Sequence, residues 1–342
     1  MNIGIIFGGK SFEHDISIIT TNVIYHALKE KYNIFLLYIN RKGDFKIAKQ
    51  MVVSDFIDET KLKDFAFIKN GIKYGFKNIK LDLIINAMHG INGEDGLASV
   101  VANLYDIPFL GSNHISSGLL MDKHFSYAVL RSSGIKVLKT KYLLVDNENP
   151  VLYEFPLIIK PARLGSSIGI NVVEDEKCFK EICLNSFTYD SKLVVQPFIS
   201  SFRELNQAAY FYNNEIFLSN VEEVFKTKEF LSFEDKYIES KIEKNKHFLT
   251  DKSLIEKISL ITKKVYKLFE LSGVIRIDYM LVDNELYVNE INTTPGSLAY
   301  YLFDDSYEFY DRIIYQALKN YQNKRKTNFV SSVLSQKNMY KK

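Results

Sequence analysis

The segment Ile3–Phe7 is apolar at every position and stops at Gly8-Gly9. Such a run reads as a buried strand, and the glycine pair as a tight turn. Helical spacing follows over Ser17–Lys29, then a second strand over Asn33–Ile39 and a third over Leu81–Ala87. Strands alternating with helices predict a parallel sheet covered by helices, a Rossmann-like α/β domain over residues 1–111. The stretch from Asn40 to Lys80 is less regular and predicts a hairpin or an elaborated connection.

A chain of 342 residues has room for two or three domains. The second is expected over 112–195, with a helix over Ser117–Ser132 and strands over Tyr142–Val145, Leu157–Lys160 and Ile168–Val173. The third is expected over 196–342, beginning just after Val194-Val195. It has strands near Asn206–Tyr212 and Glu215–Asn220, a polar and aromatic loop, a helix over Leu254–Leu271, and strands Val274–Val282 and Glu285–Ile291.

Charge and cysteine usage narrow the function classes. The net charge of +3 is small and spread along the chain, without the basic stripe or motif of a nucleic-acid binder. The basic end from Lys324 to Lys342 reads as a solvated tail. Cys178 and Cys183, five apart in one helical stretch, suit neither a disulfide framework nor a zinc site. No apolar run reaches the length of a membrane span, and Ile3–Phe7 is too short for a signal peptide. A cytoplasmic location with small-molecule partners is the expectation.

Four clusters carry chemistry. Arg276 and Asp278 lie two apart on one strand, as do Glu290 and Asn292 on the next, so each pair shares a face. Asp278, Glu290 and Asn292 together make an oxygen-only ligand set of the kind magnesium uses beside nucleotide phosphates. Ordinary strands with polar outer faces would also alternate; the Thr293-Thr294-Pro295-Gly296 that follows makes the pattern more specific. In the second cluster an apolar strand closes on Lys160 before the loop Gly165-Ser166-Ser167. Glycine lets backbone N–H groups approach phosphate oxygens, and the lysine adds a point charge. The third, His89-Gly90 through Gly93-Glu94-Asp95-Gly96, follows a buried strand where α/β ligand sites form, and also reads as an acidic helix cap. The fourth follows Gly8-Gly9 and lacks the dinucleotide fingerprint, and its Glu13 could hold a substrate ammonium.

In this order, and with Met121-Asp122-Lys123, the clusters resemble those of the D-alanine–D-alanine ligase family of the ATP-grasp superfamily, from the first strand to about Leu302. The resemblance implies an α/β, three-domain ATP-grasp architecture with ATP between the central and C-terminal domains. It implies phosphate contacts from Lys123 and Lys160, a closing loop at Gly165, Ser166 and Ser167, adenine contacts at Gln196, Phe198 and Ile199, and a ribose contact at Glu204. Two Mg2+ ions (Mn2+ as a substitute) would sit on Asp278, Glu290 and Asn292. Where the family has Glu-Lys, this chain has Gln196-Pro197.

The implied reaction activates the carboxylate of one D-alanine as an acyl phosphate, which the amine of a second D-alanine attacks, for peptidoglycan precursor synthesis. Arg276 and the Gly296 N–H would stabilise the oxyanion. Glu13, Ser166 and Tyr237 would form a network across the domains, with Lys236-Tyr237 in a mobile loop. His89, Ser297 and Leu298 are the remaining substrate contacts. Tyr301 stands where the family commonly has a serine for the second carboxylate, and Ser297 is the substitute hydroxyl. The alternatives are a D-alanine–D-lactate ligase and another ATP-grasp carboxylate–amine ligase. Dimers are common in the family, so a homodimer is compatible with the resemblance. Strand register adds one expectation: a two-residue loop at Asp283-Asn284 would set Asp278 opposite Asn289, so a three-residue connection, Asp283-Asn284-Glu285, with a bulge, is predicted to bring Asp278 opposite Glu290.

Overall fold

The computed structural model describes residues 1–145, 154–225, 247–304 and 306–323. Lys236 and Tyr237 lie outside the described residues.

The first apolar run becomes β1 (Asn2–Gly8), followed by α1 (His14–Leu28) and β2 (Asn33–Ile39). β1 lies between β2 and β8 (Leu83–Asn86), parallel to both, and β8 is parallel to β9 (Phe109–Leu110). Both faces are covered, as an unalternating strand requires. Ile3, Ile5 and Phe7 pack with Ile18, Ile24 and Leu28 of α1, while Ile6 packs on the opposite side with Ala98 and Ala102. The turn after β1 needs its glycine. Gly8 has φ +88°, and a Cβ there would lie 2.1 Å from the Ile39 carbonyl oxygen.

The irregular stretch 40–80 resolves into two devices. β3 (Phe45–Ala48) and β4 (Lys63–Asp64) extend the sheet edge antiparallel, around a single-turn helix α2 (Asp55–Asp58). The strands β5 (Ala66–Ile68), β6 (Gly71–Tyr74) and β7 (Lys77–Lys80) form a separate meander. Phe65, Phe67 and Ile72 anchor it to the core under the sheet.

The single helix expected over Ser117–Ser132 is two. After α3 (Leu97–Leu104), α4 (His114–Met121) stops at Asp122 and α5 (Lys123–Ser132) begins. Asp122 leaves helical geometry at φ −89°, ψ 106°, and its carboxylate accepts from the N–H groups of His124 and Phe125. That is an N-cap interrupting a continuous apolar period. The same carboxylate accepts from buried Lys192 Nζ at 2.9 and 3.0 Å, so the break also neutralises a buried charge.

The second sheet is antiparallel, in the order β10 (Lys141–Leu144), β13 (Lys192–Pro197), β11 (Leu157–Pro161), β12 (Asn171–Val173), with α6 (Glu176–Ser186) packed against it. β13 carries Val194-Val195-Gln196 between β10 and β11, so this segment supplies the last strand of the second sheet in chain order.

The third sheet runs β16 (His247–Phe248), β15 (Glu215–Val224), β14 (Arg203–Tyr212), β17 (Val274–Val282), β18 (Glu285–Asn292), backed by α7 (Lys252–Leu268). The connection predicted to have three residues has two. Val282 pairs with Glu285, and Asp283 and Asn284 take φ +47° and +64°, a turn those residue types tolerate. The register shift occurs inside the ladder. Tyr279 pairs with Val288 but Asp278 pairs with Glu290, leaving Asn289 as the extra residue of a bulge. Asp278 therefore faces Glu290 as expected, through a bulge that lies inside the ladder and not at the loop.

Beyond β18, Gly296–Leu302 forms a tight 3-10 segment in which Ser297, Leu298 and Ala299 have φ of +52°, +52° and +50°. The last helix, α8 (Ser306–Gln322), returns to the first sheet, where Phe309, Ile313, Ile314 and Ala317 join the core of β1 and α1.

Candidate active site

A cleft of about 930 Å3, solvent mouth included, opens between the second and third sheets. Lys160 reaches it from the end of β11 and Lys123 from the start of α5. The strand end Gln196-Pro197, then Phe198, Ile199 and Glu204, line it, with Asp278 and Glu290 on the facing strands and Gly165 and Ser167 on the glycine-serine loop.

Two buried lysines in one place need acceptors. Lys123 Nζ lies 3.0 Å from Glu290 Oε1 and donates to the Leu164 carbonyl at 2.5 Å. Glu290 thus already carries a cation, and Asp278 carries another: Arg276 donates to its two oxygens at 2.7 and 2.8 Å. Asn292 Nδ2 donates to Asp278 Oδ2 at 3.1 Å. Burial pushes the Asp278 carboxyl up, while the Arg276 guanidinium pulls it down. Tyr301 hydrogen-bonds Arg276, and burial raises its phenol. Among the described residues no three His, Cys, Asp or Glu side chains converge. The set Asp278, Glu290 and Asn292 differs in taking its third donor from an amide.

A second cluster adjoins the cleft on the side of the first sheet. Glu13 immediately precedes α1, and its carboxylate accepts a short hydrogen bond from Ser166 Oγ. Ser166 and Ser167 hold φ of +54° and +61°, in the left-handed region. Gly165 lines the cleft, and a Cβ on it would lie 3.3 Å from the Glu13 oxygens, so one loop edges both clusters. Gly90 is fixed by the same crowding. Its φ is +66°, and a Cβ would meet Ser11 Oγ at 2.5 Å and Glu13 Oε2 at 2.7 Å.

His89 is buried, with its pKa lowered to about 4 by desolvation first and the Arg276 charge second, so its ring is neutral near pH 7. Its Nε2 lies 2.8 Å from Thr20 Oγ1, which accepts from the Ser297 backbone N–H at 3.1 Å. Thr20 thereby ties α1 to the strained Ser297-Leu298 turn after Gly296. No sequence motif includes Thr20, yet a polar side chain on the apolar face of a predicted helix is a usable signal. Asn86 is a second such residue. It ends an apolar strand, and its Nδ2 donates to Thr294 Oγ1 at 3.0 Å.

Glu94 lies on the loop after β8, where its carboxylate accepts from the Gly90 N–H at 3.0 Å. Burial pushes its carboxyl up to about 8, helped by the Glu13 and Glu290 charges and opposed by the Gly90 and Thr294 N–H groups. Below the ordinary value of 4.5 both folded and unfolded states hold the proton. Between 4.5 and about 8 only the folded state keeps it, so stability falls as pH rises through this window. Replacing Glu94 with Gln is expected to flatten the stability profile there. Urea unfolding at a series of pH values checks this, and parallel wild-type and variant curves would contradict it.

The sequence matches the family model described as D-ala D-ala ligase N-terminus over residues 2–112 and that described as D-ala D-ala ligase C-terminus over 124–309. A D-alanine–D-alanine ligase of Thermosipho melanesiensis is 36% identical, with 98% of each chain covered. The crystal structure of the D-alanine–D-alanine ligase from Helicobacter pylori is similar at a TM-score of 0.80 and 31% identity, covering 92% of this chain and 98% of that one. The VanG D-Ala:D-Ser ligase of Enterococcus faecalis is similar at a TM-score of 0.76 and 25% identity, covering 94% and 99%.

Proposed function

This chain belongs to the D-alanine–D-alanine ligase family, and on that premise we propose that it joins two D-alanines at the expense of ATP. One observation carries the reading. Lys123 from a helix and Lys160, Asp278 and Glu290 from strands of two sheets edge a single cleft whose glycine-serine loop also reaches Glu13. A carboxylate is a poor acyl donor, and activating it needs a phosphoryl group held among cations beside a site for a small zwitterion.

In this reading Lys123 and Lys160 hold the phosphates under Gly165 and Ser167. Gln196, Phe198, Ile199 and Glu204 hold the nucleoside. Asp278, Glu290 and Asn292 offer three oxygens on neighbouring strand faces, a donor set that fits Mg2+ or Mn2+. When bound, such ions neutralise phosphate charge. Glu13, steadied by Ser166, holds the ammonium of the first D-alanine. Its carboxylate attacks the γ-phosphate, and ADP leaves. The amine of the second D-alanine then attacks the acyl carbon and phosphate departs. Arg276 and the Gly296 N–H stabilise the tetrahedral oxyanion. Neutral His89, with Ser297 and Leu298, shapes the place of the second substrate. We assign Lys236 a nucleotide contact and Tyr237 a catalytic role beside Glu13 and Ser166, the chemistry to the cytoplasm, and the three domains to 1–111, 112–195 and 196–342. The described residues contain no helix long and apolar enough to cross a membrane.

The test is product analysis near pH 7 with ATP and equal D-alanine, D-lactate and D-serine, with L-alanine alone as control. D-alanyl-D-alanine is expected as the main product, with phosphate release absent from L-alanine. Depsipeptide or a D-serine dipeptide as the main product would reject the substrate assignment and leave the ligase class standing.

A further inference from the structure

Gln196 is 1% exposed and lines the cleft. Its Nε2 donates to Thr140 Oγ1 at 2.8 Å, while its Oε1 is buried without a hydrogen-bond partner. A primary amide can turn over and exchange donor for acceptor with almost no change of shape. Thr140 prevents this. Its hydroxyl hydrogen goes to the Leu138 carbonyl at 2.8 Å, so toward Gln196 it can only accept. Tyr127 is arranged alike. Its hydroxyl hydrogen goes to the carbonyl of the bulge residue Asn289 at 2.6 Å, and the phenol also hydrogen-bonds the Gln196 side chain. With both hydroxyl hydrogens committed to backbone carbonyls, each side chain takes an amide N–H and leaves the oxygen over.

We infer that Thr140 and Tyr127 lock the Gln196 amide with its oxygen as an acceptor-only edge, and that this lock selects a 6-amino purine over a 6-oxo purine. The inference rests on the nucleotide cleft proposed above and deepens it. A 6-amino group donates to the waiting oxygen. A 6-oxo group presents a second acceptor to it and leaves both desolvated and unmatched. Thr140 and Tyr127 act through Gln196 and are positioning residues.

The experiment is calorimetric binding of ADP and of IDP to the full chain with magnesium, which needs no D-alanine turnover. ADP is expected to bind roughly 10- to 100-fold tighter. Thr140→Val removes one of the two restraints on the amide, and the ratio is expected to narrow, chiefly through tighter IDP binding, and to narrow roughly fivefold or more when Tyr127→Phe is added. Thr140→Ser, which keeps the hydroxyl, should restore it. Equal wild-type affinities, no binding of either nucleotide, or an unchanged ratio in both Thr140→Val and Tyr127→Phe overturns the inference. Should those variants fail to fold, Gln196→Glu tests the acceptor edge itself, because a carboxylate is an acceptor either way round: the ADP preference must persist, and its loss overturns the inference. A normal ADP-to-IDP ratio in a protein that makes no D-alanyl-D-alanine would instead count against the ligase reading alone.

Discussion

Glu290→Gln is expected to lower turnover roughly a thousandfold or more while the chain stays folded. The substitution separates two roles of the side chain. Glu290 lies 3.0 Å from Lys123 Nζ, and a glutamine oxygen can still accept from that ammonium. The hydrogen bond therefore survives and the negative charge does not. Two effects then act together: the donor set loses a charged ligand, and Lys123 loses the counter-charge that holds it in a buried position. Glu290 side-chain exposure is 28% against 11% for Lys123, so the lysine is the more dependent partner. Steady-state rates across a magnesium titration, with thermal melting as the folding control, make the measurement. A wild-type rate at ordinary magnesium would remove Glu290 from the metal site.

Arg276→Lys is expected to cost roughly a hundred- to a thousandfold in kcat with little change in the KM for ATP. The charge is kept and the geometry is lost. Arg276 donates to both Asp278 oxygens at 2.7 and 2.8 Å and also hydrogen-bonds Tyr301. A planar fork can fix those directions and still point a face at the substrate, whereas an ammonium cannot reproduce them. The Arg276 charge also helps lower the His89 pKa, so the lysine variant tests how far that charge sits from the imidazole. Single-turnover kinetics separates the chemical step from binding. An unchanged kcat would show that the oxyanion is stabilised elsewhere.

Much of the cleft is legible in the amino-acid sequence. Lysine at the end of an apolar strand, glycine and serine next, and carboxylates at two-residue spacing are local patterns, and strand periodicity alone puts Asp278 on one face with Arg276. Family resemblance adds the assignment of nucleotide contacts. The features that local patterns miss depend on long-range partners. The helix break at Asp122 sits within an apolar period that continues on both sides, and Lys192, which stabilises the break, is 70 residues away. Thr20 lies 277 residues from Ser297, whose N–H it accepts. A bulge is expected from setting Asp278 opposite Glu290, but its place at Asn289 is not, because a register can shift within a ladder as well as at its turn.

Local pattern is enough for the buried parallel strands, for the strand faces that carry Arg276, Asp278, Glu290 and Asn292, and for the phosphate-type loop after Lys160. These follow from periods of two and 3.6 residues and from the few residue types that tolerate a tight turn. Three features exist only in the folded chain: β13 joins the second sheet, α8 closes the core of the first, and burial near the charges of Glu13 and Glu290 raises the Glu94 carboxyl. Sheet membership, core closure and desolvation depend on which surfaces meet in space, and the free energy of each contact is shared between residues that no local pattern connects.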